Sequence, residues 1–160
     1  MQTTPAVKIT EAEWEIMRVI WTNQPATSRF ITEVLSEQMN WKSATVKTLI
    51  GRLVEKGFVS TKKQGKKYLY SAMISEEDSI NALATDVFEH ICATKVGATL
   101  ANQIEQATLS RDDIQLIEDI LQKKKEQAVE KIFCDCLPGQ CQCHNSYMKE
   151  NENEKRIVRH

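Results

Sequence analysis

No run of apolar residues in this chain approaches the roughly 20 needed to span a bilayer. The opening "MQTTPAVKIT" has no apolar centre of the kind a secretory leader carries. Membrane insertion and export are therefore not expected. Without export there is no oxidising compartment, so the expectation is a cytoplasmic protein with reduced thiols. Catalytic signatures are equally scarce. There is no glycine-rich phosphate loop and no His-Glu-x-x-His, the three histidines lie far apart, and no two carboxylates pair in an apolar setting. An enzyme is not expected. Internal repeats and low-complexity tracts are absent as well. What remains is a chain of 160 residues, 41% hydrophobic and 27% charged, which suits one or two small folded domains with a modest core.

The formal net charge of −1 conceals an asymmetry. Residues 1–72 hold 11 Lys/Arg against 6 Asp/Glu, whereas residues 73–160 hold 10 against 16. The basic excess is sharpest over 41–72, where eight cations face Glu55 alone. A basic half suits a polyanionic partner, nucleic acid above all; a merely solubilising lysine surface is the plainer alternative.

Hydrophobic periodicity divides the basic half into three helices. Thr10-Glu11-Ala12-Glu13 has the form of a capping box, with Ile9 and Trp14 in staple positions. Trp14, Met17, Ile20 and Trp21 then make an apolar face that Pro25 closes. Thr27 or Ser28 opens a second helix with Ile31, Val34, Leu35 and Met39 at helical spacing. Ser43 is expected to cap a third, in which Val46, Leu49, Ile50, Leu53 and Val54 repeat on one side and Gly57 suits the position just past the end. The opposite side of this third helix carries Thr45, Lys47, Thr48 and Arg52, with no acid before Glu55.

The period then changes. "FVSTKKQGKKYLYSA" reads as a hairpin, Phe58 to Lys62 and Lys67 to Ala72 around a turn at Gln64-Gly65. Lys62, Lys63, Lys66 and Lys67 crowd its tip, an arrangement that repels itself unless an anion neutralises it. Three helices followed by a basic hairpin describe a winged helix-turn-helix, whose third helix enters the major groove while the wing follows the phosphates. The candidate DNA contacts are Ser43, Thr45, Lys47, Thr48 and Arg52 on the helix and the four wing lysines. The fold class is thus mainly α with a small β-hairpin wing. A winged helix used only for protein contacts is the alternative.

From Ser75 the chain is helical again, with Ser75 and Asp78 in cap positions. Ile80, Leu83, Ala84, Val87, Phe88 and Ile91 form one stripe, expected to end at Lys95 and Gly97. A short segment around Leu100 and Ile104 follows, and Ser110 and Asp113 cap a last helix bearing Ile114, Ile117, Ile120, Leu121 and Ala128. These faces exceed what a single layer can hide, so a second copy is the natural cover, and a dimer would read two half-sites. Leu83, Val87, Leu100, Ile104, Ile117 and Leu121 are the candidate dimerisation residues. The expected organisation is a DNA-binding domain over 1–74, a helical dimerisation region over 75–132, a cysteine-rich hook over 133–143 and a disordered tail over 144–160.

Four of the five cysteines fall in "CDCLPGQCQC", as Cys134, Cys136, Cys141 and Cys143. Cys-x-Cys is a poor spacing for an internal disulfide and a good one for two thiolates converging on one metal. Pro138-Gly139 supplies a turn that folds the second pair onto the first. Four thiolates make a soft site, suited to Zn(II) or Cu(I) rather than to hard cations. Structural zinc modules more often use Cys-x-x-Cys, so the tighter pairs also suit thiolates bridging several monovalent ions. A regulatory disulfide and iron–sulfur ligation are the other options, the latter usually with wider spacings. Cys92 reads as a small buried residue, His144 as part of the tail despite following Cys143, and His90 as a solvent-facing helix residue.

"ITEAEWEIMRVIW", "WKSATVKTLIGRLVEKG" and "KKYLY" together resemble the penicillinase-repressor family of winged-helix repressors. With "CDCLPGQCQC" the chain is similar to the copper-responsive, CopY-type branch of that family. The resemblance runs from about residue 8 to residue 143. It implies a dimeric repressor of copper-export genes in which a zinc-loaded form holds an inverted-repeat operator. Cu(I) would then displace zinc at the one four-thiolate site and release the DNA, with a copper chaperone as a possible further partner. β-Lactam-responsive relatives are inactivated by proteolysis at an Asn-Phe bond. Here "LANQIEQ" places Gln103 after Asn102, so the hook is expected to replace that signal. One Zn(II) or two Cu(I) on four thiolates leave the same formal charge, so on that stoichiometry the switch must be geometric rather than electrostatic. A cytosolic metal-buffering or metal-delivery protein with a helical interaction module is the competing reading, and the basic wing counts against it.

Overall fold

The computed structural model describes residues 8–143. The expected tail at 144–160, His144 included, lies outside them. The order of elements is α1 (Glu11–Asn23), β1 (Ala26–Thr27), α2 (Ser28–Met39), α3 (Ser43–Glu55), β2 (Val59–Gln64), β3 (Lys67–Ala72), α4 (Glu76–Glu89), a 3-10 turn (Ala93–Lys95), α5 (Val96–Gln106) and α6 (Arg111–Lys125). The chain divides into two compact units between Asp86 and Val87. Among the described residues no helix is long and apolar enough to cross a membrane.

In the first unit α1 starts as its capping box dictates. The Glu13 amide donates to the Thr10 hydroxyl at 3.3 Å, and the Thr10 amide donates to the Glu13 carboxylate at 3.0 Å. That carboxylate is buried and has a second task. Lys56, just past the end of α3, donates to it at 2.7 Å and to the Lys8 carbonyl at 3.0 Å. Burial by itself would raise the Glu13 carboxyl; the Lys56 ammonium and the Thr10 amide overturn this and hold it below its ordinary value. One buried acid therefore fixes the start of α1 to the end of α3. Trp14 and Trp21 meet edge to face at 5.5 Å, and the Trp21 indole donates to the Ile74 carbonyl at 2.9 Å. Both tryptophans are half-buried, flanking the core rather than filling it.

The Thr27 hydroxyl caps α2, accepting from the Phe30 amide. The start of α3 differs from expectation: the cap is Lys42, which offers no side-chain bond, and Ser43 is the first helical residue. The hydroxyl one position too late leaves the first-turn amides of α3 without a side-chain acceptor. The far end of α3 closes as a Schellman motif. Gly57, at φ +80°, donates to the Val54 carbonyl and Phe58 donates to that of Leu53.

Strands β2 and β3 pair antiparallel from Val59↔Ala72 to Gln64↔Lys67, leaving Gly65-Lys66 as the loop. Positive φ at Gly65 alone follows the type II′ pattern. Strand β1 adds to β3 through Ala26↔Tyr70 and Thr27↔Leu69, giving the order β1-β3-β2; the periodicity reading does not contain this short strand. Ile16, Met17, Ile20, Ile31, Val46, Leu49, Ile50, Leu53, Phe58 and Val59 form the core between the three helices and the sheet.

The chain beyond the wing is built otherwise. The Ser75 hydroxyl caps α4 by accepting from the Asp78 amide, and Ser110 and Asp113 make a reciprocal box at α6. Helix α4 stops at Glu89, short of the expected Lys95–Gly97, and Gly97 lies instead in the first turn of α5. Helix α6 ends at Lys125 after three consecutive lysines, which suit a helix C-terminus, so Ala128 lies beyond it. From Val87 onward Cys92 is the one buried hydrophobic residue among those described.

Candidate nucleic-acid interface and thiol centre

On α3 the buried positions Val46, Leu49, Ile50 and Leu53 lie on one side and leave Ser43, Thr45, Lys47, Thr48 and Arg52 exposed. On the wing Lys62, Lys63, Lys66 and Lys67 are exposed as well. Among the described residues none of these six cations takes part in an ion pair, whereas Lys56 is spent on Glu13. The basic surplus of 41–72 is thus divided between one internal cation and a set left for an external anion. The Thr48 hydroxyl donates to the Ala44 carbonyl at 2.9 Å, so it offers a groove its methyl group and lone pairs rather than its proton.

The candidate dimerisation residues Leu83, Val87, Leu100, Ile104 and Leu121 are exposed, with 41–52% of their surface accessible; Ile117 is half-buried. Ile80, Ile114 and Ile120 extend these faces. Short helices in water depend on tertiary packing of an apolar face. Each Leu- or Ile-sized side chain covered contributes about 1.5–3 kcal/mol.

The cysteines converge. Pro138 and Gly139, at φ +93°, are the centre of a turn closed by the Gln140 amide donating to the Leu137 carbonyl at 3.0 Å, the type II sequence pattern. The Gln140 side chain accepts from the Leu137 amide and braces the same turn. Folding back in this way sets Cys141 Sγ at 3.1 Å from Cys134 Sγ. The Cys136 amide donates to the Cys134 sulfur at 3.4 Å. All five cysteines are thiols.

The tight cluster is not the set the spacing alone implies. Sulfurs of Cys92, Cys134, Cys136 and Cys141 all lie within 4.8 Å of one another. Cys92 Sγ is 3.5 Å from Cys134 Sγ. Cys143 stands beside the group, its sulfur 3.8 Å from that of Cys92 and 3.6 Å from the Thr94 hydroxyl. The burial expected of Cys92 is present; its sulfur neighbours were not foreseen. No spacing rule reaches a partner 42 positions away.

Tetrahedral zinc at ~2.3 Å from each sulfur requires sulfurs roughly 3.8 Å apart. The observed separations of 3.1, 3.5 and 3.8 Å lie close to that edge and far beyond a disulfide at ~2.05 Å. The thiol cluster therefore fits a soft ion.

Without a cation the thiols constrain one another. Hydrogen bonds from the Thr94 hydroxyl and amide hold Cys92 below the ordinary thiol value. The Cys136 amide pulls Cys134 down, but sharing its proton with Cys141, burial and the neighbouring Cys92 outweigh this and push it well up. Burial, then the bond to Cys92, raise Cys136 to about 11. Adjacent thiols cannot all ionise together, so metal loading must expel protons.

Three helices closed by a cationic wing, with an unpaired basic face on the third helix, define a winged-helix DNA-binding regulator. Residues 9–123 match the penicillinase-repressor family model, and the chain belongs to that family, whose members are DNA-binding repressors rather than enzymes. An uncharacterized 16.5 kDa protein in the ptsI 3' region of Latilactobacillus sakei is 43% identical over 136 residues, 85% of this chain and 93% of that protein. The methicillin resistance regulatory protein MecI of Mammaliicoccus sciuri is 32% identical over 117 residues, covering 73% and 95%. A solved CopR repressor structure is 40% identical where it aligns, over 42% of this chain and 99% of that one, with a TM-score of 0.37.

Proposed function

We propose that this protein is a copper-responsive transcriptional repressor of copper-homeostasis genes. In this reading a homodimer with zinc on its thiols holds an inverted-repeat operator, and Cu(I) taking the same thiols releases it. The observation that carries the reading is the thiol cluster: a soft-metal donor set, spaced for tetrahedral coordination, in a chain of the repressor family. Zinc or copper, when bound, supplies the charge that lets several adjacent thiols ionise at once. The chain's own residues do the rest. Thr45, Lys47, Thr48 and Arg52 face the major groove; Lys62, Lys63, Lys66 and Lys67 lie along phosphates; the faces of α4, α5 and α6 pair across the dimer. A metal buffer would have no use for four unpaired lysines on a hairpin tip.

A gel-shift on the DNA upstream of the protein's own operon tests the reading. Retardation is expected with zinc, loss of it on adding Cu(I), and recovery when a copper chelator and zinc are restored. Retardation indifferent to Cu(I) would refute the copper response, and no retardation under any condition would refute the repressor.

A further inference from the structure

Cys92 does not belong to the two Cys-x-Cys pairs, and nothing in its own sequence neighbourhood marks it as a ligand. It lies three residues beyond the end of α4 and caps the 3-10 turn Ala93–Lys95 that leads directly into α5. That turn fixes its backbone: the Lys95 amide donates to the Cys92 carbonyl at 2.8 Å. Its burial is not that of a core cysteine, for no other buried hydrophobic residue is described from Val87 onward. Instead its sulfur has polar and sulfur neighbours, the Thr94 hydroxyl at 3.1 Å, Cys134 Sγ at 3.5 Å and Cys143 Sγ at 3.8 Å. A second contact closes the same corner, the Ala93 amide donating to the Asp135 carboxylate at 3.1 Å. The hook thus meets the α4–α5 corner through a sulfur pair and a charge-assisted hydrogen bond on consecutive residues of each segment.

We propose that Cys92 is a fifth sulfur donor of the thiol site, so that a bound thiophilic ion pins residues 134–143 to the corner between α4 and α5. The inference rests on the metal-sensing reading above and deepens it. Five sulfurs exceed what one tetrahedral ion takes, so one hook thiol stays in reserve, and the surplus suits several bridged monovalent ions better than a single divalent one. The corner joins the helices that carry Val87 on one side and Leu100 and Ile104 on the other. A change in which sulfurs are engaged therefore acts where those helices meet, without passing through α6.

The test is NMR on the full-length protein loaded with the NMR-active isotope of cadmium, a four-coordinate thiophilic probe. Scalar coupling from cadmium to the β-protons of a cysteine reports ligation directly. Correlations to Cys92 together with hook cysteines are expected. Correlations to hook cysteines without Cys92 would overturn the proposal and leave the metal-sensing reading standing, whereas none to any cysteine would sink both. A second arm removes the reserve thiol. In a Cys143→Ser background, adding Cys92→Ser should weaken zinc binding by roughly ten-fold or more, at least the loss seen when residues merely supporting a ligand are removed. Unchanged zinc affinity between those two variants would count against Cys92 as a donor.

Discussion

The winged part of the first unit, residues 8–74, and the unit that begins at Val87 solve the same problem with different means. The first closes on itself: Ile16, Met17, Ile20, Ile31, Ile50 and Leu53 are at most 2% exposed, and a buried acid, Glu13, ties α1 to α3 through Lys56. The second has helices whose apolar faces are open, and among its described residues the one buried hydrophobic is a thiol among thiols. The winged part is complete as a single chain. In the function proposed above, the second is finished by something added, a second copy on its apolar faces and an ion on its sulfurs, and that incompleteness is what lets it respond. A self-sufficient core has one state; a region that relies on added parts changes when the parts do.

The largest expected effect comes from spoiling the added part. In the proposed dimer, Val87→Glu would place a charge against the second copy's apolar face, at a cost of about 3–5 kcal/mol if it stays unpaired. Sedimentation should give a monomer and affinity for the full operator should collapse, while the circular dichroism of the winged unit is retained. A monomer that still held the whole operator tightly would break the comparison.

A smaller loss is expected inside the closed unit. Glu13→Gln removes the charge that Lys56 and the Thr10 amide share, and should cost about 1–3 kcal/mol in denaturant unfolding. The same contact predicts a pH dependence. Because the folded Glu13 carboxyl sits below its ordinary 4.5, its stabilisation is full above that value and fades as pH falls through the lower folded value. The stability difference between wild type and Glu13→Gln should therefore shrink as pH falls from 4.5 and close below the lower folded value. A stability difference that persisted there would refute this role for the ion pair.

The mildest change concerns the wing. Lys63→Ala with Lys66→Ala should weaken binding to all DNA sequences alike and flatten the salt dependence by about one unit of slope per lost phosphate contact. Unaltered affinity and slope in a salt titration would remove the wing from the interface.

Local signals make the helix starts and turns readable. The boxes at Thr10 and Ser110, the glycine after α3 and the lysine-flanked turn at Gly65 are each settled within a few residues, and the fold uses all four. Signals fail where the deciding partner is remote. Ala26–Thr27 becomes a strand only because β3 offers an edge to it, and nothing in two residues announces that. Ser43 has the chemistry of a cap but stands one position inside the helix. The Cys-x-Cys pairs are legible as a candidate soft-metal hook because turn and thiols are contiguous. Cys92 is not, since the chain must first run through α5 and α6 before the hook returns to it.

Whether the clustered thiols are the proposed sensor is decided by operator binding of a Cys134→Ser/Cys136→Ser double variant during a Cu(I) titration. The winged unit keeps its core and its basic face in this variant, so DNA binding itself is available to be measured. Rising Cu(I) should release operator from the wild type and leave the variant's DNA occupancy unresponsive. Release from the variant at the same copper concentration as from the wild type would contradict the proposed sensor role.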